Sequence, residues 1–168
     1  MKKIYTPLVI FFLAGSSFMT VIPLLSLNNL KALSGNWSGT LTYLDYSSGK
    51  PYTMEANIRV AHIARNDSSL TISYVYPKEP KANEVDTLTI SQGGKYLDGA
   101  RLVEVKLAPN KDFELMTESA GADGNDGKKA VIRKTYILKG SSFTIRKDVK
   151  FDDSKTWINR HIYDFVRH

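Results

Sequence analysis

The chain predicts an all-β fold: an antiparallel, up-and-down β-barrel of about 8–10 strands behind an N-terminal export segment. Three observations predict it. From Gly35 onward, apolar and polar residues alternate with period two and not with the helical period. Clusters of Gly, Pro, Asn, Asp and Ser interrupt that alternation every 8–12 residues or so. The 9 Tyr and 7 Phe in 168 residues suit half-buried strands. Closing the sheet on itself would remove the edges that so many strands otherwise expose.

The N-terminus comes first. Met1-Lys2-Lys3 is a short basic segment, Ile4 to Leu13 is nearly all apolar, and Ala14-Gly15-Ser16-Ser17 supplies small residues. That is the pattern of a secretory signal. A second apolar patch, Phe18 to Leu27, is broken by Thr20, Pro23 and Ser26. Two readings stay open. Either residues 1–26 are a cleaved signal peptide, or residues 4–27 remain as a single membrane anchor, since the stretch is long enough to span. Both place the domain, residues 27–168, outside the cytoplasm, in the periplasm or secreted.

The strands follow. Leu27 to Leu33 suits a short helical turn. In the first strand Trp37, Gly39, Leu41 and Tyr43 share one face, and Ser38, Thr40 and Thr42 the other. Ser47-Ser48-Gly49-Lys50-Pro51 is a turn. The second strand, from about Tyr52 to Ile63, shows the cleanest alternation: Met54, Ala56, Ile58 and Val60 against Thr53, Glu55, Asn57 and Arg59. Leu70, Ile72, Tyr74 and Tyr76 define the inward face of a third strand, which Pro77 and Pro80 end. Less regular strands are expected over about 84–91, 95–98, 101–107 and 112–118. Ala120 to Gly127 reads as a flexible loop. Strands resume over about 130–139, 142–150 and 156–166, with Gly140-Ser141 as a tight hairpin. In the last of them period two puts Trp157, Asn159, His161, Tyr163 and Phe165 on one face, and Arg160, Asp164, Ile158, Ile162 and Val166 on the other.

Gly35-Asn36-Trp37 at the start of the first strand, the up-and-down strand series, and a last strand rich in aromatics and Arg together resemble the calycin superfamily. That group comprises the lipocalins, the fatty-acid-binding proteins and their bacterial lipocalin-like relatives. The resemblance implies that Gly35 and Trp37 close one barrel end and that an Arg from a late strand, Arg160 or Arg167, packs over the indole. It also implies a small ligand inside. The carboxylate-binding Arg-x-Tyr of fatty-acid-binding proteins is not reproduced: Arg160 and Tyr163 are three apart and, on a regular strand, face opposite sides. His161 stands late in the barrel, as does the haem-binding His of the nitrobindins, but the glycine-rich opening of that group is missing.

Other chemistries find little support. With no Cys, disulfides, thiolate metal sites and a Cys nucleophile are excluded. His62, His161 and the terminal His168 make a poor metal signature, so no metal or cofactor is expected. Asp123-Gly-Asn125-Asp-Gly127 suggests a calcium loop, but its twelfth position is Lys134 where a bidentate Glu belongs. There is no Gly-x-Ser-x-Gly and no interpretable carboxylate pair, so no catalytic residue is assigned and the protein reads as a non-enzyme. Asn36-Trp-Ser38 and Asn66-Asp-Ser68 match the glycosylation sequon, the first beside an indole expected to be buried. The formal charge is +6, but outside the leader basic residues run no longer than doublets such as Lys128-Lys129. No basic run marks a nucleic-acid partner.

The expected function is therefore an exported, non-enzymatic lipocalin-like barrel that binds a small hydrophobic or amphipathic ligand. Its lining is expected from Trp37, Met54, Ile58, Tyr74, His161 and Tyr163. Membrane contact is expected only through the N-terminal segment, if that stays uncleaved. The alternative is a filled barrel that acts through its surface as a partner-binding or envelope-assembly module, its aromatics serving as core.

Overall fold

The computed structural model describes residues 22–45 and 47–168; the expected signal or anchor lies outside them as far as residue 21. A one-turn helix α1, Leu27–Leu30, and a 3-10 turn, Lys31–Leu33, precede ten strands. The strands are β1 Gly35–Leu44, β2 Pro51–His62, β3 Ser69–Val75, β4 Glu84–Ser91, β5 Tyr96–Leu97, β6 Ala100–Leu107, β7 Phe113–Asp123, β8 Lys128–Lys139, β9 Ser142–Phe151 and β10 Ile158–Arg167. Each pairs with its chain neighbours, and β10 pairs with β1 to close the barrel. All ten ladders are antiparallel. Among the described residues no helix is long and apolar enough to cross a membrane.

The period-two pattern sets the register. Trp37 stands opposite Ile58, Gly39 opposite Ala56 and Leu41 opposite Met54, so the inward residues of β1 and β2 meet on one face. Gly39 is required there: a Cβ would lie 1.9 Å from the Asp164 carbonyl oxygen. The Gly140-Ser141 hairpin forms as expected, with Lys139 facing Ser142.

The barrel has two unlike ends. At the lower end, α1 and the 3-10 turn lie across the mouth and bury Leu25, Leu27, Leu30 and Leu33. The Leu25 N–H donates to the Gly94 carbonyl at 3.0 Å. Gly94 adopts φ +88°, and a Cβ there would lie 2.3 Å from the Leu25 carbonyl oxygen. Above this plug come Trp37, Leu70, Leu97, Leu115, Phe143 and Phe165, all buried. The upper end carries the β1–β2, β3–β4, β7–β8 and β9–β10 connections.

Two segments differ from the sequence expectation. Strand β7 continues through Ala120–Asp123, which pair with Lys128–Val131, so the loop shrinks to the residues between Asp123 and Lys128. Small residues read as loop, but here they make room: a Cβ on Gly121 would come within 2.6 Å of Ile132 Cδ1. The second difference is a register shift in β10 between Asn159 and His161, opposite Asp148 and Lys147. A bulge inserts one residue and reverses the faces on either side of it. His161, Tyr163 and Phe165 stay inward with Lys147, Ile145 and Phe143. Asn159 instead bonds the Asp148 carboxylate at 3.1 Å. The Arg133 guanidinium lies 3.9 Å from the Trp157 ring centroid. Trp157 and Asn159 therefore leave the face that simple alternation gave them.

Candidate functional site

An aromatic column links the two ends. It runs from Trp37 to Phe143 (5.7 Å between ring centroids), then to Phe165 (6.3 Å), Tyr163 (5.6 Å) and His161 (5.3 Å).

At its foot, the Trp37 indole N–H donates to the Leu33 carbonyl at 2.8 Å. Trp37 and Arg167 are partners in the β1–β10 ladder. The guanidinium carbon of Arg167 sits 4.1 Å from the centre of the indole. Its Nη1 donates to the Ser34 carbonyl at 2.7 Å, and its Nη2 donates to the Ala32 carbonyl. One arginine thus takes up two carbonyls at the end of the 3-10 turn and stacks on the plug's indole. Of the two arginines considered for this place, Arg167 occupies it, with Gly35 alongside: a Cβ on Gly35 would lie 3.3 Å from its Nη1.

Arg160 belongs to the other end. The bulge turns it against Asp123, which it meets at 2.9 Å with only 10% of its side chain exposed. Lys147 reaches the same carboxylate at 2.7 Å. Asp123 is buried and paired with two cations, which makes it the anchor of the upper interior.

Between these ends lies a cavity of about 140 Å³, lined by Tyr74, Tyr136, His161 and Tyr163 together with Glu84, Asp86, Asp98 and Lys134. Ile72, Leu88 and Ile145 form its floor. β4 pairs with β3 from Glu84 to Thr89, but its other side pairs with β5 only through Ile90 and Ser91. Glu84 and Asp86 therefore border an opening in the wall and are exposed. Asp98 follows the short β5 and meets Lys134 Nζ at 3.3 Å. The Tyr76 and Tyr163 hydroxyls share a hydrogen bond of 2.8 Å, and the Tyr74 and Tyr163 rings are 5.4 Å apart.

Burial shapes the chemistry of this wall. It lowers the pKa of His161 to about 4, helped by Lys147 and Lys134 and opposed by Asp123 and Asp148, so the ring is neutral at pH 7. Burial also pushes the Tyr74, Tyr136 and Tyr163 hydroxyls up, which keeps them protonated. The wall offers neutral donors and acceptors, three carboxylates and one ammonium group.

Of the six residues expected to line a cavity, Tyr74, His161 and Tyr163 do so. Trp37 lies in the closed end, and Met54 and Ile58 pack in the core. They face inward, but at levels where neighbouring side chains fill the interior. Glu84, Asp86, Asp98, Lys134 and Tyr136 were not foreseen. Their signal was a charge or phenol at an inward position: Lys134 and Tyr136 keep step with Leu138, and Asp86 with Leu88 and Ile90.

No protein-family model matches the chain, and no curated protein matches it. Among solved structures the chain is similar to a mutant of the fluorescent protein UnaG, with 9% identity and a TM-score of 0.40 over 83% of this chain and 98% of that one. The fold itself is a closed, antiparallel, up-and-down barrel of ten strands, as the sequence pattern predicts.

Proposed function

We propose that this barrel is an exported, non-enzymatic binding protein for a small amphipathic molecule. The observation that carries the reading is the 140 Å³ cavity with aromatic and charged walls, open where β4 loses its partner. Binding sites combine apolar area with a few placed polar groups, and this one does so. The leader pattern of Lys2, Lys3 and Ile4 to Leu13 supports export. Native mass spectrometry of the protein purified from its own host tests the reading. A bound small molecule that is lost on substitution of His161 by a bulky residue is expected. Empty protein, together with no saturable binding of small aromatic probes, overturns it. N-terminal sequencing of the mature protein tests the export step: a start between Ala14 and Leu27 is expected.

One observation favours a second reading. The cavity is well below the roughly 300 Å³ at which ligand pockets usually begin. A filled barrel acting through its surface binds no small molecule and tolerates a bulky residue at position 161 without change in partner capture.

A further inference from the structure

The Tyr136 hydroxyl is the odd group in the cavity. Tyr136 is 4% exposed and lines the cavity wall. Among the described residues its hydroxyl has no hydrogen-bond partner, whereas the neighbouring Tyr163 hydroxyl bonds Tyr76 at 2.8 Å. A phenol that lines a cavity and bonds no protein group is free to bond an occupant. It has room to meet a ligand, because it faces the cavity. The charges of Asp98 and Asp86 act on it, so the unpaired phenol and the carboxylates look onto the same space.

The charge of that space is one-sided. Glu84, Asp86 and Asp98 face a single ammonium, Lys134, which is already engaged by Asp98 at 3.3 Å. His161 adds no positive charge at neutral pH. The other cations of the upper interior, Lys147 and Arg160, are held by Asp123. An anion entering the cavity would meet more negative charge than positive. A cation would find carboxylates at the mouth, a phenol oxygen to accept its N–H, and the rings of Tyr74 and Tyr163 for cation–π contact. A metal ion is a poorer occupant: among the described residues there is no group of three or more His, Cys, Asp or Glu placed to hold one.

We infer that the cavity is a site for a small organic amine of about six to eight non-hydrogen atoms, a size set by the benzene-sized capacity of a cavity near 150 Å³. Its ammonium group lies between Asp86, Asp98 and the Tyr136 hydroxyl, and its apolar part lies on Tyr74, Tyr163 and Ile145. The inference rests on the reading of the barrel as a binding protein and names the chemical class of its ligand. It also gives the unpartnered phenol a bond that the empty protein lacks.

Calorimetric titration of the purified protein at neutral pH with benzylamine, benzyl alcohol and benzoate tests it. The three share a ring and differ in charge. Benzylamine is expected to bind at least about tenfold more tightly than benzyl alcohol, and benzoate most weakly. Asp86 is exposed, so Asp86→Asn is expected to fold normally, to weaken benzylamine about tenfold and to leave benzyl alcohol unchanged. Equal affinities for amine and alcohol, tightest binding of benzoate, or an unchanged amine affinity in Asp86→Asn overturns the amine assignment while the barrel remains a binding protein. No binding of any of the three overturns the binding reading as well.

Discussion

The lower and upper halves of this barrel are built by the same alternation and filled by opposite chemistry. Below, inward positions hold Leu70, Leu97, Leu115, Phe143, Phe165 and Trp37, closed off by the leucines of the N-terminal plug. Above, inward positions hold Lys134, Lys147, His161, Asp123 and three tyrosines with charge or hydrogen-bonding capacity. Period two decides which way a side chain points and says nothing of what meets it there. The lower half is a core in which stability accumulates. The upper half spends some of that stability on buried polar groups, and its residues are the ones to suspect of function.

The sharpest way to break the comparison is to attack the plug. Trp37→Ala removes an indole that packs on Phe143, bonds Leu33 and lies under Arg167. The expected loss is about 3–5 kcal/mol, read as a lowered urea midpoint with little change in slope. A loss below about 1 kcal/mol would mean that the lower half is not the main source of stability.

A pH scan separates the halves next. His161 titrates near 6.5 in the unfolded chain and at about 4 in the barrel, chiefly through burial. The folded state therefore resists protonation. Above about pH 6.5 the penalty is absent, and stability falls as pH drops from there toward 4, by at most about 1.4 kcal/mol per pH unit. His161→Gln is expected to remove that share of the acid sensitivity and to leave the carboxylate share. Parallel pH–stability profiles for wild type and variant would show that the ring is not buried neutral.

Arg167 comes third. Arg167→Ala is expected to cost about 2 kcal/mol, because the Ser34 carbonyl bond, the Ala32 carbonyl bond and the indole stack are lost together. Arg167→Lys should recover less than half of this, since an ammonium cannot reach both carbonyls while lying flat on the ring. Full recovery in thermal melts would reduce the role of Arg167 to its charge.

These residues also show how far the sequence could be read. Fold class, strand number and the closed end were legible, because the alternation of Met54, Ala56, Ile58 and Val60 and the Gly35–Trp37 opening are local signals. The upper site was only half legible. Tyr74, His161 and Tyr163 stood out by type and period. Asp98 and Lys134 did not, because their pairing joins residues 36 apart in the chain. Arg160 could not be placed at all by period: the bulge before His161 has no signature in Asn159-Arg160-His161, and it turns an outward residue onto Asp123. For the same reason Arg160 and Tyr163 do not follow the opposite-sides rule of a regular strand, since one inserted residue changes which positions three apart share a side. A bulge is fixed by the partners it creates, here the buried carboxylate of Asp123, and those lie far away in sequence.

The smallest effects make the finest test, because they compare two phenols in one wall. Tyr163→Phe deletes a hydroxyl bonded to Tyr76 at 2.8 Å and leaves that partner unpaired. It should cost about 1 kcal/mol. Tyr136→Phe deletes a hydroxyl that is equally inward and has no partner among the described residues. It should cost less than about 0.5 kcal/mol in the ligand-free protein, since the ring is kept and the deleted hydroxyl bonds no protein group. Denaturation of the two variants side by side gives the contrast directly. A clear loss in Tyr136→Phe would show that its hydroxyl has a structural task in the empty barrel. A neutral or stabilised variant would mean that folding does not require the hydroxyl, leaving the cavity as the place where it acts.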